Sequence, residues 1–374
     1  MKKSLIALAA LAATASFAQS TVTLSGNVKA GFANTKYSNS ATATQNGTGQ
    51  SIADGSSRFI LSGSEDLGGG LKANFQVDTR FRMDDNGAAP TSSPLASGNT
   101  FVGLSGNFGT AQIGKMDTHY CLGSDEHGVR ATALQASSCG LLGFVNGSGA
   151  GQAIANASRS TNVIRYVSPS FSGLTLTGNY STSYSGTEGA VGDAGKGKAV
   201  HLAANYVNGP ITAGLSVWDA TGEDQTATVA RTGQKANTLA VGYDFGVAKV
   251  GLTYDQSTQR VAAASAAFVD TKRTAYSIPV VVPAGNGAFL VTYTKAANTK
   301  TAGVTNDNTG ATLWSVGYDY DLSKRTKLGV SYAALSNKSA GAYALYTQAS
   351  LNGTPANAAG QNATQLYAGV RHAF

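Results

Sequence analysis

Leu71-Lys72-Ala73-Asn74-Phe75-Gln76-Val77-Asp78-Thr79-Arg80-Phe81-Arg82 decides the fold class. In an extended chain successive side chains point to opposite faces. Leu71, Ala73, Phe75, Val77 and Phe81 therefore share one side, and Lys72, Asn74, Gln76, Asp78, Arg80 and Arg82 the other. One face is apolar; the other is polar and charged. A tight turn precedes the stretch, Glu65-Asp66-Leu67-Gly68-Gly69-Gly70, and before the turn Phe59 and Leu61 share a face opposite Arg58 and Ser62.

Outward from this hairpin the same period of two recurs. Val22, Leu24, Val28, Ala30 and Phe32 show it near the start; Leu202 to Tyr206, Ile211 to Val217, Leu239 to Phe245 and Val250 to Tyr254 show it in the middle; Trp314 to Leu322 and Leu366 to Phe374 show it near the end. The segments predict about sixteen strands, an even number within the range of outer-membrane barrels. Their connections alternate. Asn208–Pro210, Phe245–Val247, Pro283–Gly287 and Ser323–Arg325 are short, whereas Thr221–Gln234, Asn298–Gly310 and Ser336–Ala363 are long and polar. Short periplasmic turns and long external loops are the pattern of a membrane barrel. Sixteen thinly apolar strands would also make a poor core for a soluble sandwich. Tyrosines near strand ends (Tyr180, Tyr206, Tyr243, Tyr254, Tyr293, Tyr318, Tyr320, Tyr332) fit interfacial girdles, or the ordinary preference of Tyr for strands.

The rhythm stops between Lys115 and Arg165. That stretch holds both cysteines, Cys121 and Cys139, the run Gly123-Ser124-Asp125-Glu126-His127, and a Gly/Ala/Ser-rich tract from Gly147 to Ala157. Long loops are commonly functional or disordered. A cystine inside this one argues for order, so the expectation is a loop folded into the bore of the barrel, narrowing it.

Residues 1–18 read as a secretory signal peptide. Lys2 and Lys3 form a basic start, Leu5 to Ala15 an apolar run, and Ser16-Phe17-Ala18 a small-x-small cleavage site. The mature chain, 19–374, then begins at Gln19, and losing Lys2 and Lys3 lowers the formal charge from +7 to +5. No later apolar run reaches the length of a membrane-spanning helix. Glycine is abundant, 46 of 374 residues, proline scarce at 7, and mean hydropathy is −0.08. Two cysteines in an exported chain read as one disulfide; two free thiols are the alternative.

Several stretches together make the mature chain resemble the general-diffusion porins of Gram-negative bacteria, in their betaproteobacterial form. They are Ser20-Thr21-Val22-Thr23-Leu24, Ser57-Arg58-Phe59, Gly63-Ser64-Glu65-Asp66-Leu67-Gly68-Gly69-Gly70-Leu71-Lys72, Phe101 to Gly109, and the terminal Gly369-Val370-Arg371-His372-Ala373-Phe374. The resemblance implies an all-β, sixteen-stranded antiparallel transmembrane barrel, a homotrimer, and a third external loop folded into the lumen, here residues 116–158. It also implies that Phe374 belongs to a C-terminal signal read by the outer-membrane assembly machinery. The family's usual Pro-Glu-Phe-Phe-Gly-like loop motif is absent; the cysteine pair stands instead.

In the family a basic wall faces acidic residues on that loop. By motif position Arg58 matches one wall arginine, Lys115 sits where Arg is usual, and Arg159 or Arg165 would be the third. Arg58, Arg165, Lys29, Lys72, Arg80 and Arg82 have lumen parity. Lys115 falls with Ala111 and Ile113, so a bulge must turn it inward. Asp117, Asp125 and Glu126 are the expected acidic side. The bland alternative for each is a solvated charge on a wet interior. Basic rings favour anions, and the mature excess of positive charge points the same way.

The four histidines, His119, His127, His201 and His372, lie in no hydrolase motif and no metal-ligand spacing, and the glycine runs precede strands, not the helices a phosphate cradle needs. The sequence thus predicts no catalysis, metal, cofactor or nucleic-acid partner. It predicts a passive channel for small anions and hydrophilic solutes, surrounded by outer-membrane lipid and lipopolysaccharide. The alternatives are a channel specific for phosphate or an organic acid, and a structural or adhesive barrel.

Overall fold

The computed structural model describes residues 21–39, 46–54, 57–81, 83, 95–119, 136–142, 159–183, 197–221, 233–262, 268–347 and 358–374. Sixteen antiparallel strands close into a barrel. In chain order they are β1 (Thr21–Ser38), β2 in two pieces (Gly47–Asp54 and Arg58–Gly68), β3 (Leu71–Arg80), β4 (Thr100–Gly106), β5 (Gly109–Asp117), β6 (Arg159–Val167), β7 (Leu174–Ser181) and β8 (Lys198–Asn208). The second half comprises β9 (Ile211–Thr221), β10 (Gly233–Asp244), β11 (Lys249–Ala262), β12 (Phe268–Ala284), β13 (Gly287–Ala296), β14 (Ala311–Asp321), β15 (Thr326–Asn337) and β16 (Asn362–Ala373). A short hairpin, Lys300–Thr301 and Val304–Thr305, extends the sheet beyond β12.

Each strand pairs with its neighbour in sequence, and β16 returns to β1, Asn27 opposite Ala373 through Ser38 opposite Asn362. The terminal residue completes the seam: the amides of Gly26 and Phe374 each donate to the other's carbonyl at 3.1 Å. Closure leaves no sheet edge, which a span through hydrocarbon requires.

The apolar face is the outer one. Leu239 is 52% exposed, while its neighbours Thr238 and Ala240 are 6% and 1% exposed. The same holds on β14, where Trp314, Val316 and Tyr320 face out and Leu313 and Ser315 face in. Outward rings meet across strands, Phe289 with Tyr318 at 4.7 Å and Trp314 with Tyr332 at 5.3 Å. A soluble fold would bury this face.

Two places show why glycine is needed. The Gly68-Gly69-Gly70 turn has φ values of 85°, 63° and 81°, where a Cβ would be strained. On the inner wall Tyr367 lies down over Gly369 and Gly31; a Cβ there would come within 2.2 Å and 2.6 Å of the tyrosine.

Candidate functional site

Four arginines gather on the wall between β2 and β6, with Lys115 beside them. Arg58 and Arg80 stand directly opposite each other on β2 and β3. Like charges so placed repel, and buried Asp78 lies between them, 3.4 Å from Arg58 Nη1 and 3.8 Å from Arg80 Nη2. Arg159, opening β6, is 2.8 Å from Asp117 at the end of β5. It also donates to the Ser97 carbonyl and to Asn99 Oδ1, at 3.2 Å and 3.4 Å. Arg165 donates to Asn179 Oδ1 at 2.6 Å and, through Nη2, to the Asp117 carbonyl.

Lys115 sits at a break in the β5–β6 register, between Gly114 and Met116. The extra residue lies on β6, where Asn162 takes φ = 53°. Lys115 is half-buried with Arg80, Arg159 and Asp117 as its charged neighbours.

Two residues of lumen parity lie apart from this group. Lys72 is exposed at the turn end of β3, opposite Asp66. Lys29 is buried on β1, 5.4 Å from the centroid of the Tyr367 ring, opposite Arg371. Asp117 pairs with a basic residue of its own wall, not across a gap. Arg82, Cys121, Asp125, Glu126 and the Cys139 side chain lie outside the described residues, and with them the cystine.

A second constellation was missed by the sequence reading. His119, just past β5, is buried against β9–β11. Arg165 fixes the Asn179 amide, so Asn179 Nδ2 donates to His201 Nδ1 at 2.7 Å. His201 must then carry its proton on Nε2 and donate to Ser216 Oγ at 2.8 Å. Ser216 Oγ then donates its own O–H to His119 Nδ1 at 2.7 Å. Burial lowers the His119 pKa to about 4, with Asp255 pulling it back up, so the ring is neutral at pH 7. Thr238 donates to Asp255 Oδ2 at 2.8 Å, and Ser257 and Arg273 both reach Asp255 Oδ1 at 2.8 Å.

Arg273 also donates to the Leu142 carbonyl. Leu142 closes a one-turn helix, α1 (Cys139–Leu142), whose Leu141 and Leu142 pack on inward-facing Ala275, Ala296, Ala311, Leu313, Ala333 and Leu335. Tyr343 and Leu345, from the β15–β16 connection, join the same cluster. Ala136–Ser137 pairs with Tyr346–Thr347 of that connection. The chain leaving β5 thus docks first at His119, then on β12–β15, inside the barrel. Lumen parity of Asp255 and Arg273 was readable from sequence; their loop partners were not.

The sequence pattern of the Gram-negative porin family matches residues 5–340. The chain belongs to the Gram-negative porin family. Outer membrane porin protein 32 of Delftia acidovorans is 34% identical, with all of both chains covered. Major outer membrane protein P.IB of Neisseria lactamica is 30% identical over 88% of this chain and 92% of its own length. Among solved structures, the anion-selective porin from Comamonas acidovorans superposes with a TM-score of 0.73 at 27% identity, covering 95% of this chain and all of that one. OmpT of Vibrio cholerae, in a trimer form, shares the fold with a TM-score of 0.66 at 14% identity, over 95% of this chain and 99% of its own. This porin is an outer-membrane channel.

Proposed function

We propose that this porin prefers anions, and that Arg58, Arg80, Lys115, Arg159 and Arg165 form the basic side of its constriction. One observation carries the reading: Arg58, Arg80, Arg159 and Arg165 are brought together on β2, β3 and β6 with Lys115 beside them, and Asp78 and Asp117 are the carboxylates seen to pair within this group among the described residues. A basic wall attracts anions where the bore is narrowed. The narrowing is assigned to the constriction loop, 116–158, a reading supported by the packing of its Leu141 and Leu142 on the apolar wall of β12–β15. The name of the Comamonas relative, an anion-selective porin, supports the same preference.

Further readings belong with this one. Residues 1–18 are a cleaved signal peptide, leaving 19–374 as the barrel; N-terminal sequencing of the mature protein should start at Gln19. Cys121 and Cys139 are bonded and stiffen the loop. The porin is a homotrimer, a reading supported by the trimer form of the Vibrio protein. Phe374, 41% exposed on the outer face, is read by the assembly machinery. The porin performs no reaction and holds no cofactor. Ser216, His119 and Asp255 do lie in series, but Ser216 is 3% exposed, His119 Nε2 is 4.0 Å from Asp255, and Arg273 neutralises that carboxylate. A nucleophile needs a substrate in reach.

Single-channel recording in planar bilayers tests the function. A general anion-preferring porin conducts in large steps with weak saturation. Block by one solute, inorganic phosphate or an organic acid, would mean a specific channel, and silence a structural or adhesive barrel.

A further inference from the structure

One row of inward polar side chains crosses the wall from β6 to β11. Arg165 on β6 stands opposite Asn179 on β7, and Asn179 opposite His201 on β8. His201 stands opposite Trp218, so the row steps diagonally to Ser216 on β9. Ser216 stands opposite Thr238 on β10, and Thr238 opposite Asp255 on β11. Asn179, His201, Ser216, Thr238 and Asp255 are all buried, while Arg165 is half-buried at the edge of the basic group.

The two ends of the row fix its sense. A guanidinium only donates and a carboxylate only accepts. Arg165 Nε donates to Asn179 Oδ1, Asn179 Nδ2 to His201 Nδ1, His201 Nε2 to Ser216 Oγ, and Ser216 Oγ to His119 Nδ1. His119 then carries its proton on Nε2, 3.3 Å from Thr238 Oγ1, and Thr238 donates in turn to Asp255 Oδ2 at 2.8 Å. All these bonds run one way, from cation to anion, and bonds aligned like this polarise one another. Turning the Asn179 amide over would set its NH2 against Arg165 Nε–H, donor against donor.

The row also closes on itself. Arg165 Nη2 donates to the carbonyl of Asp117, on the segment that leads straight to His119. The guanidinium is thus held from two sides, by the chain leaving β5 and by Asn179. Both of these acceptors are neutral, so they aim the guanidinium without cancelling its charge. Arg58 is held differently, by the Asp78 carboxylate at 3.4 Å. We propose that Asn179 and His201 are positioning residues for ion preference: they transmit the docking of His119 on the β8–β11 wall to Arg165 and keep its guanidinium aimed at the constriction. The proposal rests on the reading of Arg165 as part of the basic constriction.

The test is the reversal potential of the full mature porin in planar bilayers under a salt gradient. It is recorded at about pH 8, where an ordinary histidine is neutral, so that substitution of His201 or Asn179 leaves the formal charge unchanged. His201→Phe keeps a ring and removes both hydrogen-bonding nitrogens. The anion-to-cation permeability ratio should fall about twofold or more, as expected when one group of a basic constriction is displaced. His201→Gln, whose amide accepts from Asn179 and donates to Ser216 as the imidazole does, should keep most of the ratio. Asn179→Ala removes the acceptor of Arg165 Nε directly; it should lower the ratio as His201→Phe does, and it covers the case in which His201→Phe fails to assemble. Arg165→Gln sets the scale, and adding His201→Phe to it should bring no further fall. A wild-type ratio in His201→Phe or Asn179→Ala, beside a lowered one in Arg165→Gln, would overturn the proposal and leave the constriction reading standing. So would equal falls in His201→Phe and His201→Gln, or an equal effect of His201→Phe with and without Arg165. An unchanged ratio in Arg165→Gln itself would overturn the constriction role of Arg165, and the proposal with it.

Discussion

From β2 to β6 the inner wall carries Arg58, Arg80, Arg159 and Arg165, with Asp78 and Asp117 between them; from β12 to β15 it carries Ala275, Ala296, Ala311, Leu313, Ala333 and Leu335. Both sets point inward. The Arg58 side chain keeps 35% of its surface exposed, whereas Leu313 keeps 1%. The difference teaches that the period of two fixes which side a residue takes, not what it meets there. Charge facing the bore meets water. Small apolar side chains facing the bore mark where protein covers the wall, here Leu141, Tyr343 and Leu345.

The strongest way to break this contrast is Arg273→Ala. Arg273 and Asp255 are paired at 2.8 Å with side chains 0% and 1% exposed. Removing one partner of a buried pair costs about 3–5 kcal/mol, here mostly in docking of the chain between β5 and β6. Limited proteolysis should cut that connection, and open-channel current should become noisy, while the barrel still shifts on heating in gel electrophoresis. Unchanged protection would mean that Arg273 does not hold the loop.

Leu141→Ala attacks the apolar half directly. Loss of a buried leucine side chain costs about 2–5 kcal/mol. Conductance should rise and fluctuate, with ion preference little changed. A fall in conductance would show that Leu141 does not hold the loop against the wall.

Reduction of the proposed Cys121–Cys139 bond comes next. Closing a loop of about fifteen to twenty residues is worth roughly 3 kcal/mol, confined to the loop. Dithiothreitol should therefore raise current noise and leave the heat-modifiable barrel intact. Two free thiols in the purified, unreduced protein would remove the bond from the account.

The smallest stability effect belongs to the charged half. Arg58→Ala breaks a partly exposed pair, worth about 0–1 kcal/mol. Its barrel should unfold at nearly the wild-type temperature in circular dichroism; a large drop would make Arg58 structural.

How much of this was legible follows from the same contrast. Val22, Leu239, Trp314 and Val370 announced the lipid face through alternation alone, and with it the strands and the turns. Arg58, Arg80 and Arg165 announced their side of the wall. Lys115 was expected to be turned inward by a bulge; the register break at Gly114–Met116 puts its extra residue on β6, and Lys115 stands opposite Thr100 on β4. Asp117 was expected to face the basic wall; it pairs within that wall at 2.8 Å, because the β5–β6 ladder sets it opposite Arg159. Lys29 and Lys72 had the right parity but the wrong height, which a period of two does not encode. His119, His201, Ser216 and Asp255 are far apart in sequence and carry no local signal; only barrel closure and the inward chain bring them together.

The central claim is that the basic cluster, and not diffuse positive charge, sets the ion preference. Reversal potentials under a salt gradient test it most directly, with Arg58→Glu set beside Lys249→Glu. Lys249 is exposed near a short turn, 3.1 Å from Asp244 and remote from the cluster. Arg58→Glu should lower the anion-to-cation permeability ratio severalfold, as expected of a charge in the constriction, and Lys249→Glu should change it far less. Equal shifts from the two variants would contradict the account.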